Sequence, residues 1–142
     1  MKTRILDMSK PEEVEIAQVG YYLLFKPELQ CIDQKTSPEV EHMKRPWVKV
    51  VMAYDDEGIK GIMMVDNDAV VFPVLSGDLV ATLKALSLAA YEANGGYLEF
   101  QTNNQLICDL ALAMNIPEIQ HEGNFFWWGA KPVEDNVWGA GR

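Results

Sequence analysis

The stretch from Phe72 to Leu86 holds residue types that can bind a phosphate. A run of strand-forming residues passes through Pro73, meets a single glycine at Gly77 and continues into a helical pattern. A strand that turns through glycine onto a helix N-terminus directs free backbone N–H groups at an anion. Asp78 stands at the start of that helix, and its carboxylate is itself a good partner for those N–H groups. The stretch therefore predicts a phosphate cradle in which an acidic residue competes with the anion.

Further residues carry groups that could move a proton. The chain has two histidines, His42 and His121, and Glu99 lies in a run that predicts a strand. The acidic residues 55–57 fall in a predicted turn. An enzyme that deprotonates an amine needs such a base within hydrogen-bond reach of its substrate. Spacing gives none of them a partner, so the alternative is that each is an ordinary surface or strand-edge residue.

The cysteine content bears on possible metal sites, and the net charge bears on possible binding partners. Cys31 and Cys108 are far apart and fit no CxxC or Cys/His spacing, so we expect two buried thiols and no metal site. Asp and Glu outnumber Lys and Arg by 21 to 12, which gives a formal charge of −9. A field of that sign repels nucleic acid, so we expect no nucleic-acid partner.

The distribution of apolar residues along the sequence indicates the cellular compartment of the protein. Apolar residues make up 49% of the chain, which is enough for a full core. The sequence contains no apolar run of about 18 residues, so we expect no membrane span. The N-terminal residues lack the apolar core of a signal peptide. We therefore expect a cytoplasmic protein.

Apolar runs of strand length predict seven strands, at residues 3–8, 47–54, 59–65, 69–75, 97–101, 119–121 and 125–128. The short acidic turns that separate the second, third and fourth runs favour antiparallel hairpins. Leu79, Leu83, Leu86 and Ala90 recur at helical spacing and predict a long helix. Residues 1–131 are predicted to form one domain, followed by a polar, glycine-rich tail at residues 132–142.

Capping patterns mark the other helices. Ser9 and Glu12 have the spacing of a capping box, and Pro38 predicts the first turn of a short second helix. The stretch TNNQ opens a further helix at Asn104. The buried side of that helix is predicted to carry Leu106, Leu110 and Met114.

Taken in order, these elements resemble the GNAT acyltransferase superfamily over nearly the whole chain. The resemblance lies in element order and spacing more than in signature residues. It implies an α/β (α+β) fold in which a mixed, mostly antiparallel central sheet is flanked by helices. It also implies an acetyl-CoA site, with the pantetheine arm in a V-shaped opening between the fourth and fifth strands.

The cofactor loop of that superfamily has the pattern Pro-x-x-Arg/Gln-Gly-x-Gly-x-Gly/Ala, whose backbone N–H groups hold the pyrophosphate. Pro73, Gly77 and Ala81 match this pattern. Ser76 replaces the Arg or Gln, and Leu79 replaces the second glycine, where a side chain can block the phosphates. The loop therefore resembles an eroded form of the superfamily's cofactor loop.

If the loop still binds acetyl-CoA, the resemblance implies that Val74, Leu75 and Gly77 hold it by their backbone, together with Asn104. Asn104 matches the first position of a second superfamily pattern, Asn-x-x-Ala-x-x-Leu-Tyr-x-x-x-Gly-Phe. Ala111 stands at its tyrosine, which often acts as the general acid in family members. Because alanine has no proton to donate, the resemblance at this position extends to the scaffold and not to the catalysis.

Four consecutive aromatic residues at 125–128, FFWW, place two large side chains on each face of a strand. One pair can enter the core, and the other must meet a helix, a partner or water. Since aromatic residues dominate interface energetics, we predict protein contacts at Trp127 and Trp128, and at Trp138 in the tail. The alternative is that the domain's own elements cover both faces and that the tail folds back onto them.

The favoured hypothesis is a GNAT-like protein that is non-catalytic, uses no cofactor and acts by binding another protein, for example as a phage-encoded structural or host-interacting component. The alternative is an acetyl-CoA-dependent N-acetyltransferase with a divergent cofactor loop. Self-assembly into a homo-oligomer through the last hairpin is compatible with either hypothesis.

Overall fold

The computed structural model describes residues 1–131, and the predicted tail at 132–142 with Trp138 lies outside the described residues. The strands are β1 (Lys2–Leu6), β2 (Val48–Asp55), β3 (Gly58–Asp66), β4 (Ala69–Leu75), β5 (Tyr97–Gln101), β6 (Gln120–Glu122) and β7 (Phe125–Gly129). The α-helices are α1 (Pro11–Leu24), α2 (Val40–Met43), α3 (Leu79–Ala93) and α4 (Gln105–Ala113), and a 3₁₀ helix (Pro27–Leu29) follows α1. None of the helices in residues 1–131 is long and apolar enough to cross a bilayer.

Within the described residues the strands form a seven-stranded sheet in the order β1-β2-β3-β4-β5-β7-β6. β4 and β5 run parallel, and every other neighbouring pair is antiparallel. The predicted fold class, a mixed and mostly antiparallel sheet flanked by helices, is confirmed. The bounds of β4 and β5 also agree with the prediction residue for residue.

Two apolar clusters lie on opposite faces of this sheet. Successive residues of β2 alternate between them, with Val50 in one and Val51 in the other. α3 and α4 cover the Val51 face, where the predicted stripe of α3 is fully buried from Leu83 to Ala90. α1 and α2 cover the opposite face. The sheet is therefore the middle layer of three.

The predicted capping box at Ser9 is wrong. α1 starts at Pro11, and the residue before it, Lys10, makes no side-chain capping bond. Ser9 instead donates its N–H and its hydroxyl to Asp7 Oδ1, at 3.0 and 2.7 Å. Short polar side chains compete with helices in this way by bonding locally. α2 likewise starts at Val40, later than the predicted start at Pro38.

The buried face of α4 was predicted one residue out of place. Leu106 is exposed, whereas Ile107 and Ala111 are buried together with Leu110 and Met114. The helix is apolar on most sides, so its hydrophobic spacing fits more than one face. Packing against α3 and the sheet selects among them.

β4 and β5 part soon after they meet. Among residues 1–131, a single residue pair, Ala69 with Glu99, joins the two strands. β4 continues to Leu75 and bulges on its way, where Phe72 has a φ of 50°. Pro73, which has no N–H to offer a ladder, is tolerated at this bulge. The structure thus has the opening between the fourth and fifth strands that the resemblance implied, called here the β4–β5 slot.

Gly129→Ala is expected to destabilise the fold strongly, because an added Cβ would lie 2.0 Å from the Gly96 carbonyl oxygen at a φ of 90°. We expect a loss of about 3 kcal/mol or more. Gly123→Ala is the matched control, since Gly123 also has a positive φ but open space around it. It should cost about 1 kcal/mol. Urea denaturation measures both, and equal losses would show that the contact with Gly96 is unimportant.

Candidate functional site

The β4–β5 slot holds a piece of the chain itself, residues 28–31, called here the slot segment. On the β4 side, Gln30 Nε2 donates to the Pro73 carbonyl oxygen at 2.8 Å. On the β5 side, Asn104 Nδ2 donates to the carbonyl oxygens of Glu28 and Gln30, at 2.9 and 2.8 Å. The slot segment therefore bridges the two strand ends where the sheet has opened.

Residues that follow β5 hold the other end of the slot segment. Thr102 Oγ1 and the Asn103 N–H both donate to the Cys31 carbonyl oxygen, at 2.6 and 3.2 Å. The side chains of Leu29 and Cys31 are buried in the cluster on the α3/α4 face. Burial raises the pKa of the Cys31 thiol to about 12. The prediction of two buried thiols is confirmed, because Cys108 is buried as well.

Of the residues predicted to hold acetyl-CoA, Asn104 has its side chain engaged by the slot segment in this conformation. The Asn104 side-chain N–H groups donate to the slot segment, and the Pro73 carbonyl oxygen accepts a hydrogen bond from it. Val74 and Leu75 are fully buried and pair with β3. A ligand that bonds to the Asn104 amide or to the Pro73 carbonyl oxygen would therefore have to displace the slot segment.

The predicted phosphate cradle is present in shape. Gly77 has a φ of 67°, and no atom lies within 4 Å of the point that a Cβ would occupy there, so the turn is open to solvent. Asp78 caps α3, because its Oδ1 accepts the Ala81 N–H at 3.0 Å. Leu79 is partly buried and packs against the core. The Asp78 carboxylate lies at the same turn.

Ser76, at the position of the superfamily's Arg or Gln, is turned toward β3. Its N–H and its hydroxyl both donate to the Lys60 carbonyl oxygen at 2.9 Å. Its own carbonyl oxygen accepts the Thr82 hydroxyl at 3.0 Å. Ser76 therefore fastens the turn to the sheet and to α3, and it presents no donor to a phosphate.

Glu99 is a buried carboxylate with its own partners. It accepts hydrogen bonds from the Tyr97 hydroxyl at 2.6 Å and from Gln101 Nε2 at 2.9 Å, and Lys131 Nζ lies 3.6 Å away. Burial, together with the bond to Glu99, raises the pKa of Tyr97. Tyr97, Glu99 and Gln101 alternate along β5, so the pattern was readable in the sequence once that strand was predicted. These bonds give Glu99 a structural role in β5.

The two histidines lie in different places. His42 Nε2 is 2.8 Å from Asp66 Oδ2, and the imidazole meets the Phe72 ring edge-on at 5.7 Å. His42 also lines a cavity of about 250 Å³ beside the slot, with Gln30 and Gln101. His121 is exposed on β6 and bonds the Gly123 carbonyl oxygen. His42 is thus the histidine that the fold brings to the slot, a proximity that no sequence spacing signals.

Ala111, at the position of the superfamily's tyrosine, is buried in α4. Tyr21 is nearer to the slot, but its hydroxyl donates to the Phe72 carbonyl oxygen at 2.7 Å. Burial raises the pKa of Tyr21 well above its usual value. Tyr21 therefore fixes the bulge of β4 and gives no sign of acting as an acid.

The aromatic run is divided between the two faces of β7. Phe126 and Trp128 enter the α3/α4 cluster, where Trp128 stacks on Tyr91 with ring centroids 4.0 Å apart. Phe125 and Trp127 stack on each other on the opposite face and remain half-buried. The placement of Trp128 does not suit the protein contact predicted for it, because its surface is already covered. Trp127 retains surface for a contact, and Trp138 lies beyond the described residues.

The order and pairing of the strands identify the type of fold. The order of elements, the mixed and mostly antiparallel sheet, and the opening between β4 and β5 are the features that the resemblance implied. The fold is GNAT-like. Residues 28–31 lie in the opening between β4 and β5 of this fold.

Comparison with known proteins finds similarity in structure but not in sequence family. No protein-family model matches it, and no curated protein matches it. Among solved structures, it is similar to an acetyltransferase from Salmonella typhimurium that modifies the N-terminal serine of a 50S ribosomal subunit protein. The TM-score is 0.48 at 14% identity, over 91% of this chain and 94% of that chain. A likeness at this level carries nothing about activity.

Trp128→Ala is expected to cost about 3–5 kcal/mol of unfolding free energy, because it removes a buried aromatic ring from the core. Trp127→Ala is the matched control on the same strand. It should cost less than about 1.5 kcal/mol, since Trp127 is half-buried and solvent can fill the space it leaves. Guanidinium denaturation of both variants tests this, and similar losses would contradict the assignment of Trp128 to the core.

Proposed function

We propose that this protein is a non-catalytic binding protein built on a GNAT-like fold. The observation that carries the proposal is the slot segment, which bonds to Pro73 on one side and to Asn104 on the other. The resemblance to the superfamily implies that a cofactor arm would lie in this opening. A chain that fills the opening with residues of its own supports a use of the fold that does not depend on acetyl-CoA.

Electrostatics and acid–base chemistry support the same proposal. Asp78 places a carboxylate at the N-terminus of α3 and already uses the Ala81 N–H. Like charges about 4 Å apart repel by about 4 kcal/mol at an effective dielectric near 20, which sets an upper limit on the penalty for a phosphate there. Ala111 supplies no proton at the position of the superfamily's general acid.

The partner in this proposal is a protein, either foreign or a second copy of the chain, met in the cytoplasm. The described residues offer a surface for it at the stacked pair Phe125 and Trp127. Ile32, which is 51% exposed, lines the same shallow depression as Phe125. Half-buried aromatic rings beside an exposed aliphatic residue suit a protein contact. The comparisons give no support to a phage origin.

A second candidate function is the acetyl-CoA-dependent N-acetyltransferase. The parting of β4 from β5 after Ala69 and Glu99 favours it, because the opening itself is retained. The open turn at Gly77 favours it as well. For this function residues 28–31 would have to leave the slot, and a base other than Glu99 would have to serve the amine.

Acetyl-CoA at millimolar concentration is expected to leave the melting temperature of the protein unchanged. A ligand present at about 100 times its Kd would add about 2.7 kcal/mol of stability, so binding would be easy to detect. Asp78→Asn keeps a capping side chain but removes its charge, and it should also show no shift because the slot stays closed. A clear shift in the native protein, or release of free CoA in the presence of amines, would contradict the proposal and favour the acetyltransferase.

Trp127→Ala is expected to weaken any self-association of the protein. Light scattering coupled to size-exclusion chromatography measures the mass of the native protein and the variant over a range of concentrations. Leu112→Ala is the matched control, because Leu112 is 55% exposed on α4, away from this surface. A dimer that survives Trp127→Ala would contradict the placement of the contact at Phe125 and Trp127.

A further inference from the structure

The slot segment is held by hydrogen bonds of a different kind from those that join the strands of the sheet. It belongs to the connection between α1 and α2, residues 25–39, whose regular structure within the described chain is the 3₁₀ helix Pro27–Leu29. The bonds that fix it in the slot come from the side chains of Gln30, Thr102 and Asn104 and from the Asn103 N–H, and none is part of a strand ladder. Long connections of this kind are uncommon in compact domains and are frequently functional.

Asn104 is the central clamp of this arrangement. Its Nδ2 donates to Glu28 and Gln30, while its Oδ1 accepts the Leu106 N–H at 3.0 Å and caps α4. One side chain thus performs two separable tasks. Losing the donors would release the segment, and losing the acceptor would weaken the helix.

Closure of the slot carries a cost. Gln30 is 1% exposed, and its Oε1 has no hydrogen-bond partner among the described residues. A buried acceptor without a donor is unfavourable, and water would satisfy it if the segment moved out. Lys26 and Ile32, on either side of the buried residues, are exposed.

We propose that residues 28–31 form a latch, which leaves the β4–β5 slot as a local unit while the sheet and α4 stay folded. In the open state the slot presents the Asn104 N–H groups and the Pro73 carbonyl oxygen, which the segment now occupies. These groups complement an extended chain of amides, whether that chain is a small ligand or a peptide. This inference goes beyond the proposed function, because the latch can open whether or not the protein transfers an acyl group.

Cys31 is a built-in reporter of this opening. It is 4% exposed in the closed state, so its thiol cannot react with a reagent in solution until the segment moves. Replacing Cys108 by alanine leaves Cys31 as the one thiol of the chain. The rate at which iodoacetamide labels this Cys108→Ala protein, followed by intact mass, then measures how often the latch opens.

The first measurement compares labelling with global unfolding in that single-cysteine protein. Labelling is expected to be at least about 100-fold faster than the unfolded fraction from urea denaturation allows, and nearly independent of urea at low concentration, because a local opening exposes little surface. Labelling that follows the global unfolded fraction, with its full urea dependence, would overturn the proposal. This comparison needs no destabilising variant of the latch.

The second measurement uses Asn104→Asp in the same background. Aspartate caps a helix as well as asparagine does, but it has no N–H to donate to Glu28 and Gln30. Labelling of Cys31 in low urea is expected to rise by about tenfold or more and to stay nearly independent of urea, while the free energy of global unfolding falls by a corresponding amount, because both reactions start from the closed state that the variant destabilises. Asp78→Asn, a cap exchange on α3 that does not touch the segment, should leave the labelling rate unchanged.

A third variant covers the case in which Asn104→Asp fails to fold. Thr102→Val removes the hydroxyl that donates to Cys31 at 2.6 Å and keeps the shape of the side chain. It should also speed labelling of Cys31. If neither variant changes the labelling rate, the bonds to Asn104 and Thr102 do not hold a latch. Acetyl-CoA binding is a separate measurement, so failure of the latch and failure of the proposed function are distinguishable.

Discussion

The parting of β4 and β5 is the constraint on which the rest of this structure depends. Two parallel strands that separate after the pair Ala69 and Glu99 leave backbone groups facing a gap in the middle of the sheet. Buried backbone groups require partners, because an unpaired one costs about as much as a lost hydrogen bond. Gln30 provides a donor for the Pro73 carbonyl oxygen on one side, and the Cys31 carbonyl oxygen accepts the Asn103 N–H on the other. The gap is therefore filled by protein and remains compatible with a closed core.

Neighbouring features are consistent with this arrangement. The bulge of β4 directs the Phe72 carbonyl oxygen toward Tyr21 on α1, and the Pro73 carbonyl oxygen toward Gln30. Asp78 satisfies the first turn of α3 from within the chain. Phe72, Pro73 and Asp78 thus each have a hydrogen-bond partner within the chain.

Strand pattern predicted the sheet well because it depends on local alternation. β4 and β5 were predicted to the residue. Helix starts were predicted less well, since Ser9 has a local partner in Asp7 that competes with capping. The face of α4 was misplaced at Leu106 because the helix is apolar on most sides. In both cases the same residues were compatible with more than one local structure.

The sequence by itself determined the element order, the open turn at Gly77, the acidic cap at Asp78 and the absence of a proton donor at Ala111. These follow from residue type and spacing along the chain. Tertiary structure alone decided that Gln30 reaches Pro73, that Asn104 holds Glu28, and that Trp128 is covered by Tyr91. Such contacts join residues far apart in sequence, and local patterns do not encode which distant partner satisfies a buried polar group or covers a ring. The closed slot is for this reason a property of the fold.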